Sequence, residues 1–551
     1  MIAPDLVDVE IETITPGGDG LARAGGQTLV VPFTIPGERV RVQAPRTSRP
    51  DAVAFLVEVL RASPHRVAPR CAHFGPDAEP GVGPCGGCSW QHIAYPEQLR
   101  LKTDLVDRLV RAVVPAAPRT LAMLPSTPVE QPWGYRHKAH FAFEVVGHRR
   151  SATLLMGHYV RGSRRVLPVR ECPVHDPRGN ELAFAFRESF AGGASSVLEG
   201  LAIRVGANTP EIVATLIVTD DRDKGLRTAS RRVLEAPGAP TAFHVNLHPR
   251  EDALIFGPDT RRVTGPERMR EQVAGASFLV SPTAFFQTNV AAAEILVRLV
   301  MEGVAGTGGD GGGGGGGGGG DNGLTRSNGA TESSSSKRTL RSSVAPCDPV
   351  PSVTSVVLDL YAGAGLFALP LARAGCRVVA IEENREAVAD GEASRRLNRI
   401  PEEQCRFIAQ RVETFVTGRL APLIDVVILD PPREGCSPAV LDEVFGQIAP
   451  ARAIYVSCNP EALARELATI TSHGYAIQSL QPVDMFPHTA HVETVVVLNR
   501  TSPRSHRAAP RAPAPPREAQ PPERRRGARD EARSGAGPDR SAAGRPRRNR
   551  R

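Results

Sequence analysis

The sequence predicts an α/β protein. Its last third should be a doubly wound parallel sheet, behind a small β-barrel and a mixed α+β region. Three observations carry this. Residues 353–500 alternate apolar strands with helical segments: VTSVVLDL, then AGLFALPLARAG; CRVVAIEEN, then REAVADGEASRRLN; RFIAQ; DVVILDPP; ARAIYVSC, then PEALARELATITSHG; and VETVVVLNR. Apolar strands joined by helices bury both faces of a parallel sheet. Residues 5–60 instead alternate apolar and polar positions in short runs split by Gly and Pro, the pattern of an antiparallel, OB-like barrel. Two further stretches cannot bury a core. Residues 306–350 are Gly- then Ser-rich, with ten consecutive glycines at 311–320, and residues 501–551 are rich in Pro, Arg and Ala. Both are expected to be disordered.

In chain order this gives a barrel at 1–62 and a central domain at 63–280. The doubly wound domain covers 281–305 and 351–500, interrupted by the insertion at 306–350 and followed by the tail at 501–551. Within 281–305, Thr288 and Asn289 are candidate N-caps for a helix beginning AAAEILVRLV. No run of 18 apolar residues occurs, and the N-terminus MIAPDLVDVEIETI carries acids in place of a basic-then-apolar leader. A membrane span and a signal peptide are therefore not expected. Nine cysteines, an odd number, argue for thiols, metal ligands or catalysis over a disulfide framework, and for the cytoplasm. The net charge of +8 belongs to the tail. Residues 501–551 hold 15 Arg against 5 acids, which leaves residues 1–500 at −2. A polyanion site on the folded part must then be local, and the tail would add salt-dependent, non-specific affinity.

The motif Asp359-Leu-Tyr-Ala-Gly-Ala-Gly365 follows an apolar strand and opens a helix. Gly363 and Gly365 permit a tight turn and close approach of a ligand. Glu382 ends the next strand, where a ribose hydroxyl pair would be held. The third Gly of the dinucleotide fingerprint is missing, which favours S-adenosylmethionine over NAD. Asp430, in DPPREG, ends a later strand on the same carboxyl edge.

Cys458, in YVSCNP, lies at that edge too. Pro460 would begin a helix whose positive end lowers the thiol pKa. Downstream, FPHTAHVETV offers Glu493. A thiolate added to C6 of a pyrimidine makes C5 nucleophilic enough to take a sulfonium methyl, and a base must then remove the C5 proton. Burial of Glu493 would raise its pKa usefully for that task.

Four more cysteines, Cys71, Cys85, Cys88 and Cys172, form C-x13-C-x2-C with a distant fourth. Such thiolates can hold zinc or an iron–sulfur cluster, and the lone fourth ligand leans towards the latter. Cys347, Cys376, Cys405 and Cys436 lack ligand spacing. Residues 133–170 carry eight Lys+Arg against Glu144, interleaved with Trp133, Tyr135, Phe141, Phe143 and Tyr159. Basic side chains for phosphates and aromatics for splayed bases suggest an RNA surface.

Together these residues resemble the uracil-5 RNA methyltransferases, over about residues 5–500. The resemblance rests on CGGCSWQH at 85–92, YPEQLRLK at 95–102, GYRHKAHF at 134–141, FFQTN at 285–289, DLYAGAGLF at 359–367, DPPREG, YVSCNP and HVETVVVL. It implies a Rossmann-like methyltransferase domain behind a TRAM-like barrel. Cys458 would be the nucleophile and Glu493 the proton acceptor, with Gln287, Tyr361, Glu382 and Asp430 contacting S-adenosylmethionine. It also implies a [4Fe-4S] cluster on Cys71, Cys85, Cys88 and Cys172. Barrel and cluster together favour 23S rRNA as substrate over tRNA, and no obligate protein partner is implied. Leu366 and His137 stand where the family often has Asn. A 5-methylcytosine enzyme would need a second strand-end cysteine, for which Cys436 is poorly placed. A non-catalytic RNA-binding protein would have no need of both Cys458 and Glu493.

Overall fold

The computed structural model describes residues 6–45, 52–76, 78, 82–147, 153–191, 197–222, 224–235, 238–248, 255–306, 355–418 and 424–501. The Gly-rich insertion and the Arg-rich tail expected from the sequence lie outside these residues, apart from their first positions.

The N-terminal segment forms a six-stranded sheet in the order Ala52–Val53, Gln27–Val31, Gly20–Ala24, Leu6–Ile14, Arg39–Gln43, Phe55–Arg61. The period-two reading holds: Val9, Ile11, Leu29, Val31, Val40 and Val42 all point into one core. The central sheet has seven strands, in the order Val166–Pro168, Thr153–Tyr159, Lys138–Val146, Leu198–Val205, Ile212–Val218, Ala242–Leu247, Asp259–Thr264. The helix Pro177–Ala191 packs against this sheet and against the helix Lys224–Glu235, over a core of Phe141, Phe186, Leu201, Leu216 and Phe243.

The C-terminal sheet has eight strands. Their order is Cys405–Ala409, Arg377–Glu382, Val356–Leu360, Val426–Leu429, Arg452–Ser457, Glu493–Arg500, Tyr475–Asp484, Leu124–Pro125. The first five run parallel, as expected. Glu493–Arg500 does not: it is antiparallel to both neighbours. Only residues 485–492 separate it from the preceding strand, too few for a crossover, so the chain turns straight back. Val456 pairs with Val495 and Ser457 with Thr494. The start of the last strand therefore lies beside the carboxyl end of Arg452–Ser457.

Two segments assigned to the central domain by sequence pack on this eight-stranded sheet instead. The hairpin Met269–Val273 and Ala276–Val280 shares the core of the helix Val290–Ala305. The helix Tyr95–Val113 packs against Pro460–Ser472 and Tyr475–Asp484, and Leu124–Pro125 adds the edge strand. The anchor of that helix is Lys102, whose Nζ donates to Asp484 Oδ1 at 2.6 Å with both side chains fully buried. Removing one partner strands a buried charge. Lys102→Met is thus expected to cost about 3–5 kcal/mol, read as a lower urea midpoint at unchanged m-value.

No helix among the described residues is long and apolar enough to cross a membrane.

Candidate active site

Sheet register gathers the predicted residues. Leu360 pairs with Ile381 on one side and Leu429 on the other, so Tyr361, Glu382 and Asp430 follow at three adjacent strand ends. Tyr361, Gly363 and Gly365 are left-handed (φ 63°, 54° and 87°). This turn brings the Gly363 N–H to Glu382 Oε2 at 2.9 Å, while Asn384 N–H donates to Oε1 at 2.7 Å. A carboxylate has about four acceptor positions, so two remain on Glu382 for a ligand's hydroxyls. A side chain at Gly365 would strike the Phe407 ring at 2.6 Å, whereas nothing lies within 4 Å of the space above Gly363. The loop holding Gln287 is fixed at its ends: Lys138 Nζ and Arg204 each donate to Ala284 O, and Asn289 Nδ2 donates to Met485 O. Asn289, not Thr288, caps the following helix. Among the described residues, no hydrogen bond joins Gln287 to Tyr361 or Glu382.

Cys458 sits as expected before a capped helix, with Asn459 Oδ1 accepting from Glu461 N–H and Ala462 N–H and with Pro460 in the first turn. Its pKa goes the other way from the sequence expectation. Burial first, then Glu493 and Asp430, push the thiol up to about 11, and Arg433 only partly opposes them. One helix end does not outweigh two carboxyl groups and lost solvent. Burial raises Asp430 to about 7. Burial and Asp430 together raise Glu493 well above its ordinary value. In the RNA-free protein, alkylation of Cys458 by iodoacetamide is expected to climb about tenfold per pH unit from pH 7 to 9 without a plateau. A plateau near pH 7, in rates followed by mass spectrometry, would show that the helix end prevails.

The DPPREG loop is tied to the same helix. Asn459 Nδ2 donates to Arg433 O at 2.9 Å, and the Glu466 carboxylate accepts the Cys436 N–H at 3.1 Å and the Tyr455 hydroxyl at 2.6 Å. Gly435 (φ 85°) passes so close that a Cβ would meet Glu466. The buried Cys436 thiol is thus engaged with the hydroxyls of Tyr455 and Tyr361. Glu466→Ala leaves a buried N–H and a buried hydroxyl unpaired. It should cost roughly 2–4 kcal/mol in urea unfolding, with turnover falling because Asp430 loosens relative to Cys458.

Sequence reasoning missed three residues here. Asp359, inside the quoted motif, is fully buried, and burial with Asp430 nearby pushes its carboxyl well above the usual carboxylate range. An acid in the apolar strand VVLDL was the available signal. Arg433 lowers the pKa values of Cys458, Glu493 and His491, and no role was given to it. Phe285 is 71% exposed, next to buried Phe286. The aromatics of 133–170 need correction in turn. Phe141 and Phe143 are buried because KAHFAFEVV alternates and sends them to the core face, and Tyr135 is buried with its hydroxyl donating to Pro487 O. Trp133 stacks on His488 at 3.8 Å. Of the five, Tyr159 alone is largely exposed.

Cys71, Cys85, Cys88 and Cys172 line one cavity of about 760 Å³. Burial and their mutual repulsion push Cys88 and Cys172 up to about 12. The cavity is coupled to the catalytic sheet. Trp90 N–H donates to His488 O, His488 N–H to Gln98 Oε1, and Trp90 Nε1 to Gly18 O of the barrel.

The family model described as tRNA (Uracil-5-)-methyltransferase matches residues 346–501, and the TRAM domain model matches 5–54. An RNA methyltransferase of Gloeobacter violaceus is 32% identical over 511 residues, covering 91% of this chain and 98% of its own. The chain belongs to the RNA uracil-5 methyltransferase family. Another relative, from Thermosynechococcus vestitus, is 30% identical over 89% of this chain and 97% of its own. The fold matches that of the Pyrococcus abyssi tRNA (uracil-54, C5)-methyltransferase bound to S-adenosyl-L-homocysteine. That match has a TM-score of 0.62 and 21% identity, over 89% of this chain and all of the other. The methyltransferase uses S-adenosylmethionine and acts on RNA, and its fold class is the one the motifs implied.

Proposed function

We propose that this enzyme methylates C5 of uridine in 23S rRNA through a covalent bond between Cys458 and C6. One observation carries the chemistry: the antiparallel last strand sets Glu493 beside the strand end that bears Cys458. The Cys458 thiolate adds to C6, and the ring electrons move towards O4. C5 then takes the methyl from the sulfonium, leaving a thioether. Glu493 removes the C5 proton, the C5–C6 double bond re-forms, and the thiolate leaves. Asp430, protonated up to about pH 7, can donate a hydrogen bond to the uracil edge or the cofactor. Gln287, Tyr361, Gly363, Gly365 and Glu382 hold S-adenosylmethionine along the carboxyl edge. The target base must leave its stack to reach Cys458, and exposed Phe285 can fill the gap.

The rRNA assignment rests on the barrel together with the four thiols, which fit a [4Fe-4S] cluster. A single tetrahedral ion about 2.3 Å from each sulfur needs sulfurs about 3.8 Å apart. Among the described residues, no three of these four sulfurs come within 4.8 Å of one another, although all four line one cavity. A larger cluster suits that spacing. Methyl transfer consumes no electron, so the cluster's part is to order the loop that Trp90 ties to His488. An active but iron- and sulfide-free preparation would remove it from the proposal.

A tRNA substrate is the second reading, favoured by the likeness to the Pyrococcus enzyme. Nucleoside mass spectrometry on fractionated RNA from deletion cells tests both. Loss of 5-methyluridine from 23S rRNA is expected. Loss from tRNA alone would keep the chemistry and change the substrate.

A further inference from the structure

Strand register sets two cations against each other beside the loop that carries Phe285 and Gln287. Lys138, on Lys138–Val146, pairs directly with Arg204, on Leu198–Val205. Directly opposed side chains share a sheet face, and like charges so placed repel. These two do not diverge: Lys138 Nζ at 3.3 Å and Arg204 Nη2 at 2.8 Å donate to the same oxygen, Ala284 O. Neither forms an ion pair with any described residue. Arg204 is buried, and its Nε has no hydrogen-bond partner. Lys138 is half-buried, its Nζ 5.4 Å from the centroid of the Phe256 ring. Burial first, then Arg204 and Arg136, push the Lys138 ammonium down to about 7. Glu386 alone opposes them, and its carboxylate is already engaged by the Thr283 hydroxyl. His140, next along the same face, is pushed down to about 4 and adds no charge at neutral pH.

We propose that Lys138, with Arg204 behind it, is an anion site for a phosphodiester of the substrate RNA, joined to the Phe285–Gln287 loop through the Ala284 carbonyl. Two cations that share one carbonyl and lack an acid are completed by an anion from outside, and RNA carries one at every nucleotide. Lys138 makes the contact: after Ala284 O, its ammonium has two donors left for a phosphate oxygen. Arg204, too deep to be touched, supplies the field. The loop is gripped at a second point, where the His137 N–H donates to Thr288 O at 2.7 Å. A phosphate on Lys138 therefore fixes the RNA backbone beside Phe285, 71% exposed one residue beyond Ala284. Binding draws a proton from solvent onto Nζ wherever that amine is neutral, and no covalent bond changes. The site leaves Arg433 free of the backbone and takes no thiol from the four-cysteine cavity. It rests on RNA as the substrate, whether rRNA or tRNA.

The test uses the full-length protein with two probes, a 23S rRNA transcript and bulk tRNA. Lys138→Met should weaken binding of both by about three- to tenfold and make the log–log salt dependence shallower by about one unit. Its urea midpoint should hold or rise, because methionine ends the repulsion across the strands. Calorimetry in buffers of different ionisation enthalpy reads the proton. The wild type should take up about half a proton per RNA at pH 7 and nearly one at pH 8. Lys138→Arg, charged throughout, should keep the affinity and the salt slope yet take up none. A methionine variant that matches the wild type in affinity and slope would overturn the site, as would equal proton uptake by the arginine variant. Inorganic phosphate should cause no uptake at concentrations that leave RNA binding intact. Uptake with phosphate and none with RNA would give the site to a free anion and overturn the assignment to RNA. Wild type that binds neither RNA would end the RNA reading itself, whereas wild type that binds RNA beside an unchanged methionine variant would end this site alone.

Discussion

Replacing Cys458 by alanine is expected to lower 5-methyluridine formation by about 10⁴-fold or more, with RNA affinity nearly unchanged. The size of the effect follows from what the thiol does. Without addition at C6, C5 of uracil has too little electron density to attack a sulfonium carbon, and nothing else at this edge can supply it. Cys436 is the nearest alternative in sequence, yet its sulfur is buried and engaged with the Tyr455 hydroxyl 3.9 Å away. Serine at 458 should be nearly as inactive, since its hydroxyl ionises far less readily than a thiol. The measurement is single-turnover transfer of labelled methyl into RNA, beside filter binding of the same RNA. Alanine retaining more than a few per cent of the rate would remove the covalent route. The raised thiol pKa adds a second signature: kcat/KM of the wild type should rise with pH across the neutral range. Arg433 is the one cation found to oppose the rise, so a bound phosphate neutralising it would raise the thiol further. Arg433 can favour the thiolate only while it stays free of the backbone of the RNA.

Local chemistry was legible in the sequence; chemistry that depends on distant neighbours was not. Asn459 and Pro460 specify a helix start by themselves, and Gly363 and Gly365 specify the turn that reaches Glu382. Both are found as read. The thiol pKa was misjudged because Glu493 lies 35 residues away and Asp430 lies 28 away, and neither distance is visible from the motif YVSCNP. The strand Tyr475–Asp484 is absent from the sequence reading, so the eight-residue return that makes the last strand antiparallel was not visible, and VETVVVL reads the same in either direction. The helix Tyr95–Val113 was placed with the central region because it is close in sequence. Its real partner, Asp484, is 382 positions on. The aromatics of residues 133–170 were read by composition when the period of two was the better guide for Phe141 and Phe143; Tyr159 stays exposed, and Phe285, outside the stretch, is more so.

Glu493→Gln should separate the two halves of the reaction. Methyl transfer needs only the Cys458 adduct, whereas its release needs a base at C5. The variant is expected to turn over about 10²–10⁴-fold more slowly. It should accumulate a methylated RNA–protein adduct that survives a denaturing gel, with about one equivalent of S-adenosylhomocysteine formed per enzyme. Cys458→Ala in the same background should abolish the adduct. Loss of turnover with no adduct would place Glu493 before methyl transfer, and near-normal turnover would move the base elsewhere. The wild-type pH behaviour follows from the same pair. Burial raises both carboxyls and Asp430 raises Glu493 further, so the base becomes available only as these groups lose their protons. Asp430 near 7 lies above its unfolded value of about 4, so the folded state binds the extra proton. The stability that this proton confers is full below about pH 4 and is lost as pH rises through 7. Activity should therefore climb over the window in which this carboxyl pair makes the fold less stable. Asp430→Asn, neutral throughout, should flatten the stability slope between about pH 4 and 7, and by lifting the repulsion on Glu493 it should shift the ascending limb of kcat towards acid.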